Sequence, residues 1–170
     1  LGEITLDVIE CLKALRSLSL LMLGLDNAGK TTAVKCVQGD TLDVAPTVGF
    51  SEANAKFGDY DLRIMDVGGG RSIRGVWKHY LAEAHGIIFV VDASDKDRTE
   101  EGKEALANVL EHQFVAGKPI LLLANKQDVS GAMNEADICD ALDLQTVSKP
   151  KKIDPSLQQG LGWLVRNISS

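Results

Sequence analysis

The strongest constraint on this chain is a junction near its start. Leu18–Leu23 is an unbroken apolar run closed by Gly24, and Thr31–Gln38 carries a helical pattern that stops at Gly39. Between them lies GLDNAGKT, Gly24–Thr31, which fits G-x-x-x-x-G-K-[ST]. A short apolar run bounded by glycine reads as a buried strand. A glycine-bearing loop that leaves such a strand and opens a helix presents backbone N–H groups to an anion. In that reading Lys30 reaches the β- and γ-phosphates, and the Thr31 hydroxyl is placed for Mg²⁺. A strand–helix turn that binds nothing is the lesser reading, because motif and context agree.

The remaining pattern extends the same plan. Ser51–Phe57 and Tyr60–Met65 flank Gly58-Asp59 as a hairpin. Ile87–Val91 and Ile120–Ala124 are further buried-strand runs. Helical patterns lie near Ile73–Ala84, Thr99–Gln113 and Asn134–Leu142, and Asp154-Pro155 opens a last helix lined by Leu157, Leu161, Leu164, Val165 and Ile168. Thr5–Arg16 reads as a short amphipathic helix. Strands alternating with helices predict an α/β fold, a mostly parallel doubly wound sheet with helices on both faces. At 170 residues the chain predicts a single domain.

Composition removes some alternatives. The formal net charge of −6 argues against non-specific nucleic-acid binding. Cys11, Cys36 and Cys139 are odd in number and widely spaced, which fits neither a disulfide framework nor a zinc site. No apolar run reaches the length of a membrane span. Lys149, Lys151 and Lys152 are too few for a membrane patch. His79, His85 and His112 show no acid–base or ligand spacing, and Asp92 and Asp95 read as shaping the loop after the fourth strand.

Two further strand ends carry chemistry. Asp66 ends a strand where a carboxylate can hold Mg²⁺ through a water. It opens DVGGG, Asp66–Gly70, in which Gly68 and Gly69 let a backbone N–H approach the γ-phosphate. Asn125–Asp128, NKQD, follows another strand. The Asp128 carboxylate can accept from guanine N1–H and N2–H₂, a donor pair adenine lacks. Asn125 can hold the base edge and the loop, with the Lys126 stem along the ring face.

Taken together, GLDNAGKTT (Gly24–Thr32), PTVGF (Pro46–Phe50), DVGG (Asp66–Gly69), GIIFVVDASD (Gly86–Asp95) and NKQD resemble the small P-loop GTPases, more closely the Arf-like branch. The resemblance implies GTP/GDP and Mg²⁺ as ligands. It implies a nucleotide site of Asp26, Asn27, Ala28, Gly29, Lys30, Thr31, Thr32, Thr47, Gly69, Asn125, Lys126 and Asp128. The implied metal ligands are Thr31, Thr47 and, through water, Asp66. Thr47 is by resemblance the switch threonine that senses the γ-phosphate, with Pro46 stiffening its entry. A nucleotide-driven shift of the Ser51–Met65 hairpin is also implied.

The chain departs from the family at three places. Gly70 stands where the family usually has the glutamine that orients the attacking water. Met65 replaces the usual tryptophan, so the implied effector-facing cluster is Phe50, Met65 and Tyr80. With Trp77 added and Arg71, Arg74 and Lys78 at its rim, this forms the expected partner surface. The later Ser-Ala motif that touches guanine O6 is not found, and SKPKKIDPS (Ser148–Ser156) contains no apolar strand. The sequence therefore predicts that residues are missing near 147–151.

DVGGG, Ile73–Asp95 and KPILLLANKQD (Lys118–Asp128) resemble Arf-like subfamily thirteen, the ciliary branch. That subfamily carries a long C-terminal extension, so the resemblance implies a G-domain fragment. It also implies exchange-factor action on a second ciliary GTPase, Arf-like protein three, at the cytoplasmic side of membranes in a cilium or flagellum. The competing readings are a conventional hydrolysing Arf-like GTPase of membrane traffic that needs an activating protein, and an ATP-using P-loop enzyme. Asp128 argues against the latter, and Gly70 favours a switch that mainly binds.

Overall fold

The computed structural model describes residues 11, 16–39 and 49–168. The reading of Thr5–Arg16 as a helix lies almost wholly outside these residues, and Pro46 and Thr47 lie outside them as well. The described strands are β1 (Ser17–Gly24), β2 (Phe50–Phe57), β3 (Tyr60–Val67), β4 (Gly86–Asp92), β5 (Ile120–Asn125) and β6 (Lys151–Asp154). The helices are α1 (Lys30–Gln38), α2 (Trp77–Leu81), α3 (Thr99–Leu110), α4 (Glu135–Ala141) and α5 (Leu157–Ile168).

The strands form one six-stranded sheet in the order β2-β3-β1-β4-β5-β6. β1 pairs in parallel with both β3 and β4, and only β2 runs antiparallel, as the hairpin partner of β3. Alternation along the central strands sorts the core. Leu21, Leu23, Ile87, Phe89, Ile120 and Leu122 face α2, α3 and α4, while Leu20, Met22, Ile88, Val90, Leu121 and Leu123 face α1 and α5. Strands buried on both faces must be apolar throughout, which is why these runs were legible as strands.

The chain leaves β1 toward β3 on one side, and β4 closes on the other. The carboxyl end of β1 is thus a topological switch point, the crevice where such sheets bind ligands. The Gly24–Gly29 loop sits there.

Two expectations are corrected. Ile73–Ala84 is not one helix: a 3₁₀ turn at Arg74–Val76 leads into the five-residue α2. Its start is held to the preceding loop, because Ile73 N–H and Arg74 N–H both donate to Gly70 O. The second correction is β6. Lys151–Asp154 is a strand, parallel to β5 from Ile120↔Lys151 to Leu123↔Asp154. As a four-residue edge strand it needs little apolar content, and lysines on an edge deter further pairing. The inference of missing residues near 147–151 drew on the absence of this strand, and the strand is in place.

Candidate nucleotide site

The loop after β1 owes its shape to backbone that tolerates positive φ. Gly24, Asn27 and Gly29 have φ of 143°, 63° and 98°. At Gly24 a Cβ would sit 2.4 Å from Val90 O, and at Gly29 2.2 Å from Asn125 Nδ2, so neither position admits a side chain. Gly29 caps α1 with no side-chain hydrogen bond, and the first turn holds no acidic residue. The helix thus brings no acidic residue of its own to offset the positive end of its dipole toward the loop.

Lys30 is buried, and its ammonium donates to Gly24 O at 3.1 Å and Leu25 O at 2.7 Å. Burial pushes it below the ordinary lysine range, while the charges of Asp66 and Asp26 pull the other way. The cation is thus pinned across the mouth of the loop. Thr31 Oγ1 donates to Asp66 Oδ2 at 2.6 Å, and Asp66 is 1% exposed. A hydroxyl and a carboxylate joined at a helix N-terminus are hard oxygen donors of the kind Mg²⁺ takes. The structure brings Thr31 and Asp66 together, whereas Thr47 falls outside the described residues.

Asn125 and Lys126, at the end of β5, reach back to the same loop. Asn125 Nδ2 donates to Ala28 O at 2.9 Å, and Lys126 Nζ donates to Asn27 O at 2.7 Å. Lys126 also pairs with Asp92 at 2.7 Å. Burial alone would raise the Asp92 pKa, but Lys126 and Ser94 hold it below the usual carboxylate range. Asp128, two residues beyond this clasp, is exposed.

Gly69 lies against the phosphate loop from the other side. A Cβ there would meet Gly24 O at 2.3 Å, Leu25 C at 2.3 Å and Asp26 N at 2.4 Å. At Gly70 a Cβ meets nothing within 4 Å. Adjacent glycines therefore do different things: Gly69 permits backbone contact with the loop, and Gly70 leaves open space.

A charge cluster not anticipated from the sequence ties these pieces together. Glu101, on the first turn of α3, accepts from Arg74 Nη2 at 2.6 Å, Arg71 Nε at 3.1 Å and Arg98 Nε at 2.8 Å. Arg98 Nη2 donates onward to Asp26 Oδ1 at 2.7 Å, and Arg74 Nε donates to Gly69 O at 2.8 Å. Hydrogen bonds from Arg98, then Arg74, hold the Glu101 carboxyl far below its usual range. Asp26 is lowered chiefly by its bond from Arg98. An acidic residue at a helix N-terminus reads from sequence as a dipole partner; Arg98 lies three residues before it, and the fold brings Arg71 and Arg74 to it.

The expected partner surface is corrected in part. Met65 is fully buried, because its position on β3 points it into the core with Leu21 and Leu81. Trp77 is also buried, edge-on to Phe89, with its indole N–H donating to Gly68 O at 3.0 Å. Arg74 faces Glu101 rather than a rim. Phe50 and Tyr80 do form a surface pair, stacked at 4.8 Å, with Phe50 40% exposed. Val76, which the sequence reading passed over, is 39% exposed one turn before Tyr80, and Arg71 and Lys78 are exposed.

The ADP-ribosylation factor family model matches residues 5–168. ADP-ribosylation factor-like protein 13B of Chlamydomonas reinhardtii is 42% identical over 92% of this chain, which spans 32% of that relative's length. ADP-ribosylation factor-like protein 2 of Arabidopsis thaliana is 39% identical over 91% of this chain and 89% of its own length. The Arl6 BBS3 small GTPase from Trypanosoma brucei, solved with bound nucleotide analogue GppNp, superposes with a TM-score of 0.84. It is 31% identical, covering 90% of this chain and 98% of that one. The family model spans the phosphate loop, the Thr31–Asp66 pair and the NKQD clasp, and the chain belongs to the ADP-ribosylation factor family and is a GTP-binding small GTPase switch.

Proposed function

We propose that this domain is a slow switch, one that acts on a partner in its GTP form rather than timing itself by hydrolysis. The observation that carries the reading is Gly70: the space beside it is open, and no side chain is there to hold an attacking water. Arg74 is not free to take over, since its guanidinium is engaged by Gly69 O and Glu101. Lys30, Thr31 and the loop backbone still suffice to hold phosphates. Thr31 and Asp66 would hold Mg²⁺, which neutralises phosphate charge when bound.

The partner face is built on the stacked Phe50–Tyr80 pair with Val76, rimmed by Arg71 and Lys78. Aromatic anchors inside a charged rim are the usual anatomy of a specific interface. The likeness to ADP-ribosylation factor-like protein 13B supports a second Arf-like GTPase, Arf-like protein three, as the partner. In this reading the domain acts as its exchange factor, at a cilium. The GTP form would bind the partner's nucleotide-poor state better than its GDP state and so shift that equilibrium. The open space beside Gly70 favours one other reading, a conventional hydrolysing GTPase of membrane traffic completed by a residue from an activating protein.

Single-turnover phosphate release is the test of the switch. We expect unaided hydrolysis no faster than about 10⁻⁴ s⁻¹, since Ras with its glutamine reaches only about 3–5 × 10⁻⁴ s⁻¹. A rate near about 10⁻² s⁻¹ would refute it. For the partner, loss of labelled GDP from the second GTPase should accelerate with the GTP form and much less with the GDP form. Acceleration indifferent to the nucleotide carried here, or unchanged by Tyr80→Ala with Lys78→Glu, would remove the exchange role.

A further inference from the structure

We propose that a small neutral apolar molecule binds in a crevice beside the phosphate loop, between α3 and α4, and that its presence steadies the loop. Leu25 and Ala28 of the loop form part of the lining. Phe89 and Val91 of β4 form another part, and Met133, Ile138 and Leu142, from α4 and its flanks, close the far side. Ala28, Phe89, Met133, Ile138 and Leu142 are buried. The free volume is about 30 Å³, against about 10–15 Å³ needed by a single water on the same measure.

Gly102 keeps this space open. It lies inside α3, where glycine is a poor helix former. The backbone does not call for it, since its φ is not positive. A Cβ there would make only ordinary contacts, with Leu142 Cδ2 at 3.8 Å and Leu25 Cδ1 at 3.9 Å, two side chains of the lining. What the missing side chain leaves is a gap between them.

The rim decides what can enter. Asp26, Asp92, Asp95, Arg98 and Thr99 stand there. Arg98 is spent on Asp26 and Glu101, Asp92 on Lys126, and the Thr99 hydroxyl on Lys96 O. Rim carboxylates disfavour an anion, and any charge carried inside would be buried among apolar side chains. Water needs about two to four polar partners, and the β4 backbone is already paired with β1 and β5. The volume admits no peptide segment. A neutral apolar molecule remains, and it gives Leu25 and Ala28 packing partners in place of a void. The link to nucleotide rests on the switch reading above: a molecule that favours the ordered loop favours nucleotide, and nucleotide favours the molecule by the same factor.

Xenon, which enters dry apolar cavities, is the probe. It is titrated into the GDP-loaded, unaltered domain while methyl carbon–proton spectra are recorded. We expect saturable shifts at Leu25, Ile138 and Leu142, with Leu18 and Val37, in the core on the other face of the sheet, unmoved. Gly102→Ala should weaken xenon at least about threefold, and Gly102→Leu should abolish the shifts. Gly102→Ala keeps the test decisive if Gly102→Leu does not fold, because its Cβ displaces no neighbour. Release of fluorescent GDP should slow about fivefold under saturating xenon, the low end of ordinary coupling between sites, and Gly102→Ala should shrink that effect. Shifts that do not saturate or spread over both faces, xenon affinity unchanged in Gly102→Ala, or GDP release indifferent to xenon would overturn the proposal. Failure of the domain to bind GDP at all would instead overturn the switch reading beneath it, a distinct outcome.

Discussion

Replacing Gly69 by alanine tests how closely the loop after β3 is packed on the phosphate loop. The new Cβ would lie 2.3–2.4 Å from Gly24 O, Leu25 C and Asp26 N, all backbone atoms of a loop pinned by Lys30, Asn125 and Lys126. No flexible side-chain end is available to move aside, so one loop must shift by about an ångström. Overpacking of this kind costs about 1–3 kcal/mol. At 1.4 kcal/mol per factor of ten, that is about 5- to 150-fold in affinity for a bound state that needs the contact. The assay is titration with fluorescent GDP and a fluorescent non-hydrolysable GTP analogue, beside thermal melts. The triphosphate form should suffer more, because in the proposed site Gly69 would bring backbone to the γ-phosphate. Gly70→Ala is the internal control: its Cβ enters open space, and both affinities should stay within about twofold of wild type. If Gly69→Ala binds both nucleotides as wild type does and melts at the same temperature, the close approach is not a feature of the working protein and the reasoning fails.

Gly102→Ala should stabilise the domain by about 1 kcal/mol, because Gly102 lies inside α3 and its Cβ would meet only Leu142 and Leu25 side chains at 3.8 and 3.9 Å. The melting temperature should rise by about 2–4 °C. Trp77→Phe keeps most of the packing against Phe89 but leaves buried Gly68 O without its indole donor, at a cost of about 1–3 kcal/mol read by denaturant unfolding. The Glu101 carboxyl has an ordinary value of 4.5 and is held well below it in the fold by Arg98 and Arg74. Its contribution to stability is therefore present above about pH 4.5 and lost as pH falls below that toward the lowered folded value. Glu101→Gln should flatten the acid side of a stability–pH profile; an unchanged slope between about pH 5 and 3 would show that the cluster carries no such linkage.

The chain by itself determined those parts of the molecule whose cause is local. A run that must be buried on both faces has to be apolar throughout, so β1, β4 and β5 were legible. The loop–helix junction at Gly24–Thr31, the Gly58-Asp59 hairpin and the stop at Gly39 follow from φ values few residues accept. The proposed phosphate and base segments were legible for the same reason, since GLDNAGKT and NKQD carry their chemistry in consecutive residues. Tertiary structure alone decided what depends on a neighbour distant in sequence. β6 is too short and too charged to announce itself, and exists because β5 offers it an edge. Met65 looked like a surface anchor by analogy and Trp77 was grouped with it, although a tryptophan there also reads as a packing residue; the pairing of β3 with β1 and the indole bond to Gly68 put both inside. Arg98 pairs with Glu101 locally, three residues away, but Arg71 and Arg74 join Glu101, and Arg98 reaches the phosphate-loop residue Asp26, only after α3 has packed beside β1. Periodicity records which residues must be buried; it does not record which partner buries them, because that choice belongs to chain segments many residues apart.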